Sequence, residues 1–291
     1  MNNKSNYSRI IAGTMTWGNW GKQLSTAQMV SLLEHCLENK ITTFDHADIY
    51  GDYTNEAQFG KALATSSIAR ENIQLISKCG IQFDANERSK RVKHYEYGKA
   101  YIIESVERSL NLLQTEYLDL LLLHRPSPLM NPTEIAEAVH QLKEQGKIKQ
   151  FGVSNFTPSQ IQLIEKEIQV EANQVEFSLS SNKVMNDGTL DDCIIKNRMA
   201  MSWSPLGSYF REETQANKRT KKVLAEFTKK YDATEDQLLL AWILKHPSKI
   251  HPVVGTATPE RLKSAMDALK IKMDLQDWFI LLEANEGHEV A

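Results

Sequence analysis

Short apolar runs alternate with helical apolar stripes from one end of the chain to the other. Residues 10–14 (Ile10, Ile11, Ala12, Gly13, Thr14) form the first run. Behind it, Ser25 and Gln28 have capping-box spacing, and Met29, Leu32, Leu33, Cys36 and Leu37 fall on one helical face. A second run, 42–45, breaks into His46, Asp48 and Tyr50, and a helix is expected over 54–64. The third run is 73–78, then comes a polar insertion at 82–98, then a helix with Ile103, Val106, Leu110 and Leu113 aligned. Residues 118–124 form the fourth; Pro126 and Pro128 close it so soon that a buried strand is favoured over a buried helix.

The second half repeats the pattern. Asn131, Pro132 and Glu134 predict an N-cap, a first-turn proline and a capping-box glutamate, with Gly146 past the helix end. Residues 148–154 are the fifth strand, and Thr157, Pro158 and Gln160 open the next helix in the same way. Residues 171–174 and 199–203 give the sixth and seventh strands. A long loop is expected over 208–218, then two helical stretches ending near His246. Residues 252–255 are the eighth strand, and a helix follows Thr258 with Leu262, Ala265, Met266 and Leu269 inward. This unbroken alternation implies parallel strands with helical crossovers, in an open doubly wound sheet or a closed barrel. No G-x-G-x-x-G follows the first strand, and eight strand–helix units in 291 residues favour an α/β fold of the (β/α)8, or TIM-barrel, type, one domain over 1–291.

Composition narrows the function classes. A hydrophobic fraction of 41% and a charged fraction of 24% are those of a globular protein, and a net charge of -3 with no basic stripe gives no reason to expect nucleic acid. Cys36, Cys79 and Cys193 form neither a disulfide framework nor a thiolate zinc pattern. No membrane contact is expected from a chain with no spanning run, and the first seven residues lack the apolar core of a signal peptide, so the expected location is cytoplasmic.

In such a barrel the functional face is built from the C-terminal strand ends. Read in order, those ends are Thr14, Asp45, Lys78, His124, Ser154 with Asn155, Gln174, Trp203, and Gly255 with Thr256. A carboxylate, an ammonium and an imidazole thus join the phenol of Tyr50, five residues beyond Asp45. A lysine beside a tyrosine favours the phenolate and is expected to lower its pKa, with Asp45 as the counter-charge to Lys78. Such a set protonates an oxygen on which charge develops, which suits carbonyl reduction, but none of these side chains supplies hydride, so a cofactor must. His46, Asp48 and His124 do not complete a metal-ligand set, and no metal is expected.

These residues and their neighbours resemble the aldo-keto reductase family from about Ile10 to Leu269. The stretch from Thr43 through Asp45 and Tyr50 to Gly51 is similar to its D-x4-Y signature, and Asp45, Tyr50, Lys78 and His124 fall on its catalytic tetrad in order. Phe151 to Phe156 resembles the segment that holds the nicotinamide carboxamide, and Gln174 falls on its amide partner. Trp203 to Gly207 resembles the ring-stacking and pyrophosphate strand end. The stretches from His46 to Gly51 and from His124 to Met130 look most like a bacterial subgroup of predicted oxidoreductases.

The resemblance implies NADPH-dependent reduction of small aldehydes or ketones, with NAD(H) as the alternative nucleotide, Tyr50 as proton donor, Lys78 and Asp45 tuning it, and His124 positioning the substrate. It assigns Thr14, Met15, Asp45, Ser154, Asn155, Gln174, Trp203, Ser204, Leu206, Gly207, Gly255, Thr256, Thr258 and Arg261 to the cofactor, and Trp17 and Trp20 to the substrate pocket. It also implies a small-molecule partner and a monomer rather than an oligomer. Four departures stand out: Trp203 where tyrosine or phenylalanine is usual, Gly255 where a lysine is common, Ala265 at the adenine-side asparagine, and the 82–98 insertion. The alternative function on the same barrel is a cofactor-sensing regulatory or interaction subunit.

Overall fold

The structure, a computed structural model, describes residues 7–85 and 88–291. Eight parallel strands close a barrel: β1 Ile11–Gly13, β2 Thr43–Asp45, β3 Gln74–Cys79, β4 Leu118–Leu123, β5 Ile148–Ser154, β6 Ala172–Glu176, β7 Met199–Trp203 and β8 His251–Val254. Each strand pairs with its neighbour in the chain, and β8 returns to β1 with Ile11 opposite Val253 and Ala12 opposite Val254. The (β/α)8 barrel read from the alternation is the observed fold.

Two apolar layers explain why the strands read as continuous apolar runs. Ile11, Ile76, Leu120, Leu122, Ala172, Met201 and Val253 fill the barrel interior as one cluster. Leu75, Cys79, Leu121, Leu123, Phe151 and Val153 face the other way and pack in the larger cluster under the helices. With a side-chain period of two, Lys78 lies on the same face as Ile76, and Gln174 on that of Ala172. The interior face that is apolar at mid-barrel therefore turns ionisable at its C-terminal rim.

Most caps form as read. Ser25 and Thr157 each close a capping box, and Gly146 sits at a φ of 69° after the helix Pro132–Glu144. Glu134 differs: one oxygen accepts from the Asn131 side chain at 3.2 Å, and the other accepts from the Lys99 amide at 3.2 Å, at the start of the neighbouring helix Lys99–Leu113. That helix begins at Gly98, which has no side chain to cap it, so the glutamate serves across helices.

The expected loop at 208–218 ends early. Thr214 accepts from the Asn217 amide, and the Asn217 side chain donates to the carbonyls of Ser208 and Glu212, so the helix runs over Gln215–Tyr231. Within the expected 82–98 insertion, of which 86 and 87 lie outside the described residues, Ile81–Gln82 and His94–Tyr95 form a small antiparallel ladder. The helices Thr189–Ile195 and Leu275–Glu286 have no counterpart in the sequence pattern above. The second is docked by Trp278, stacked on Trp242 at 4.7 Å, with each indole N–H donating to the other residue's carbonyl.

Candidate active site

The rim of the barrel brings Asp45, Tyr50 and Lys78 into one cluster. Lys78, with a side chain 0% exposed, donates to both Asp45 oxygens at 2.8 and 2.7 Å, to the His46 carbonyl at 2.7 Å, and to the Tyr50 hydroxyl at 3.3 Å. Burial pulls the ammonium toward its neutral form, but Asp45 and Tyr50 more than offset this, so its pKa lies above the ordinary lysine value. The lowered phenol pKa expected for Tyr50 is not what the site produces. Desolvation is the larger effect, Lys78 opposes it without overcoming it, and the phenol is raised above 10.0. Tyr50 is therefore an un-ionised donor at neutral pH.

His124 stands beside it, with ring centroids 6.2 Å apart and the rings nearly perpendicular. Burial first, then the charges of Lys78, Arg125 and Lys93, hold its pKa well below 6.5, so the imidazole is neutral. Its Nδ1 is buried with no hydrogen-bond partner among the described residues.

The neighbouring strand ends are linked by hydrogen bonds into one arc. Trp203 Nε1 donates to Asn155 Oδ1 at 2.9 Å, and Asn155 Nδ2 donates to Ser154 Oγ at 2.7 Å. Ser154 Oγ donates to the Gln174 carbonyl at 2.9 Å, and Gln174 Nε2 donates to Asp45 Oδ1 at 2.9 Å. Residues assigned one by one in the sequence thus act on each other: Gln174 and Lys78 both donate to Asp45 Oδ1. Asn155 has a φ of 63° and Ser204 a φ of 48°, and Ser204 starts a turn closed by the Gly207 amide at 2.8 Å. Leu206 roofs the apolar layer below.

Several assignments need correcting. Trp17 is 1% exposed and packs against Phe44 and Phe59, with its indole N–H on the Thr256 carbonyl at 3.0 Å; it is a core residue, not a pocket wall. Trp20, 40% exposed, lies 6.2 Å from the Tyr50 ring and 6.4 Å from Phe83. Thr14 is buried, and its hydroxyl is used on the Asp45 carbonyl and His46 Nδ1, whereas Met15 is exposed. His46 and Asp48 are both buried. Desolvation brings His46 to about 3, while desolvation and the neighbouring Glu56 raise Asp48 to about 7.

The far side of the mouth is open and basic. Gly255 is exposed, and a Cβ built there would meet nothing within 4 Å. Thr256 accepts from the Thr258 amide at 3.2 Å, and Thr258 precedes the helix Pro259–Asp267. Arg261 lies exposed in the first turn of that helix, whose positive dipole end favours an anion. Ala265 is buried in the core and offers no group to a ligand. One residue escaped the sequence reading. Arg125, next after His124, puts its guanidinium carbon 5.2 Å from the centre of the Trp203 ring. The only signal was its place beside a strand-end histidine.

The sequence features of the family described as the Aldo/keto reductase family match residues 9–286. The chain belongs to that family. This aldo/keto reductase is 42% identical over 290 residues to oxidoreductase YcsN of Bacillus subtilis, covering 98% of this chain and 96% of that protein. It is 39% identical over 296 residues to a 6-dehydroglucose reductase of Agrobacterium fabrum, covering 100% and 98%. Among solved structures, an aldo/keto reductase from Klebsiella pneumoniae in complex with NADP and acetate superposes with a TM-score of 0.79 at 26% identity, covering 94% of this chain and 90% of that one. Among the described residues of this aldo/keto reductase, no helix is long and apolar enough to cross a membrane, and no group of three or more His, Cys, Asp or Glu side chains could hold a metal ion.

Proposed function

We propose that the protein reduces aldehydes or ketones to alcohols with NADP(H), and that Tyr50 donates the proton. The observation that carries this reading is the shared ammonium: Lys78 bonds Asp45 through both oxygens and still reaches the Tyr50 hydroxyl at 3.3 Å. As the phenol gives its proton to a carbonyl oxygen, the charge left on Tyr50 falls beside a cation held in a site shielded from water. That interaction is stronger in the transition state than before it, which is what accelerates the step. Asp45 keeps Lys78 charged, and Gln174 holds Asp45 in register. Neutral His124 offers a ring nitrogen to orient the same oxygen.

Bound NADPH would supply the hydride, which no side chain can. The residues fit such a nucleotide: the half-exposed Trp203 gives a π-face, the 204–207 turn and Gly255 leave space, and Thr256, Thr258 and Arg261 gather at a helix N-terminus suited to phosphate. The Klebsiella structure was solved with NADP, which supports the same choice. On this reading the chain acts as one domain on a small carbonyl compound. The Agrobacterium relative makes oxidised sugar aldehydes a class to try. Three buried free thiols accord with a cytoplasmic setting.

The test has two parts. NADPH should quench tryptophan fluorescence at micromolar concentration, and a panel of aldehydes and ketones should then consume NADPH. Absence of binding at that level would sink the proposal.

A further inference from the structure

Arg125 is half-buried against the ring of Trp203, and among the described residues it makes no ion pair. Lys78, the other cation at the rim, is already matched by Asp45. A guanidinium presents N–H donors in a fixed fork that complements an oxyanion, and leaving it partly desolvated without one is unfavourable.

Its backbone is held on both sides. The Tyr97 hydroxyl accepts from the Arg125 amide at 3.1 Å and donates to the Arg125 carbonyl. Tyr97 is 4% exposed and belongs to the 82–98 insertion. Gly80, at a φ of 116°, makes room for it: a Cβ there would come within 2.1 Å of the Tyr97 ring. The same insertion carries Lys93, one residue ahead of the His94–Tyr95 strand that pairs with Ile81–Gln82 just past β3. The charges that act on His124 are those of Lys78, Arg125 and Lys93, all cations. Arg125 also acts on Tyr50, so it lies within electrostatic reach of the proton donor.

We propose that Arg125 binds an anionic group on the substrate, so that the preferred substrates are carbonyl compounds bearing a carboxylate or a phosphate. This rests on the reductase reading above. It also gives the insertion a role, because the insertion fixes Arg125 through Tyr97.

The experiment compares matched pairs, 4-carboxybenzaldehyde against its methyl ester and D-glyceraldehyde 3-phosphate against D-glyceraldehyde, for the wild type, Arg125→Gln and Arg125→Lys. The expected wild-type kcat/KM favours at least one anionic member by about 10-fold, and the pair that responds tells carboxylate from phosphate. Arg125→Gln should reduce that ratio about 10-fold or more, and Arg125→Lys should restore part of it. The preference should weaken with added salt. Turnover of all four compounds without an anionic preference would overturn the inference and leave the reductase reading standing. Equal losses on both members of a pair, or a raised KM for NADPH alone, would make Arg125 a structural or nucleotide residue and overturn it too. No NADPH binding at all would remove both.

Discussion

Gln174 and Lys78 grip Asp45 from two strands, at 2.9 Å and at 2.8 and 2.7 Å, so the carboxylate is fixed before any ligand arrives. With Asp45 fixed, the Lys78 ammonium is held by that carboxylate and the His46 carbonyl, within reach of Tyr50. Removing the ammonium would leave a buried carboxylate without its cation. Lys78→Met is expected to lower stability by about 3–5 kcal/mol, seen in thermal melts as a drop of about 10 °C. Adding Asp45→Asn should recover at least half of that loss. A double variant no more stable than the single would mean that the pair is not coupled.

Tyr50→Phe keeps the ring and removes the proton. Its kcat should fall by about 10²–10⁴-fold, while NADPH still quenches tryptophan fluorescence with a Kd within about 2-fold. Loss of nucleotide binding instead would give Tyr50 another role.

The pH profile of carbonyl reduction should be flat from about pH 6 to 9. His124 is held well below 6.5 by burial and three cations, and Tyr50 is held above 10.0 by burial, so neither titrates in that range. An inflection near neutrality in kcat/KM that persists in Asp48→Asn would show that one of them is ionised differently.

Asp48 makes a separate prediction about stability. Burial, and then the nearby Glu56, raise it from 3.8 to about 7 in the fold. Between those values the folded state keeps a proton that the unfolded chain releases, so the contribution of this group to stability falls as pH rises and is constant above about 7. His251, lowered by burial to about 4, and His46, at about 3, have the opposite slope, because their unfolded forms take up protons below 6.5. Comparing Asp48→Asn with the wild type isolates the carboxylate. Urea melts should show the variant gaining on the wild type by on the order of 2–4 kcal/mol between about pH 4 and pH 7. A difference that does not vary with pH would mean that Asp48 is ionised in the fold throughout.

The two neighbouring tryptophans should separate cleanly. Trp17→Ala, in the core against Phe44 and Phe59, should cost about 3–5 kcal/mol of stability. Trp20→Ala, beside Tyr50, should leave the melt nearly unchanged and raise the KM for carbonyl substrates several-fold. Similar effects from both would undo the distinction between wall and core.

Arg261→Ala should raise the KM for NADPH about 10-fold and that for NADH less than about 3-fold, if the exposed first-turn arginine meets the 2′-phosphate. Equal changes for the two nucleotides would remove it from that role.

The sequence by itself determined the barrel and the order of chemistry around its rim. Apolar runs of strand length, capping boxes at Ser25 and Thr157, and Gly146 past a helix end are local signals, and local signals survive translation into structure. Asp45, Tyr50, Lys78 and His124 were legible because a strand's C-terminal end is a position in sequence as well as in space. What the tertiary structure decided was each side chain's environment. Whether a tryptophan is core or pocket depends on what packs against it, so Trp17 and Trp20 exchanged prominence. Whether Lys78 lowers the Tyr50 pKa depends on how far both are removed from water, and desolvation prevailed. The docking of Trp278 on Trp242 and the hold of Tyr97 on Arg125 join residues 36 and 28 positions apart through contacts that no periodicity encodes.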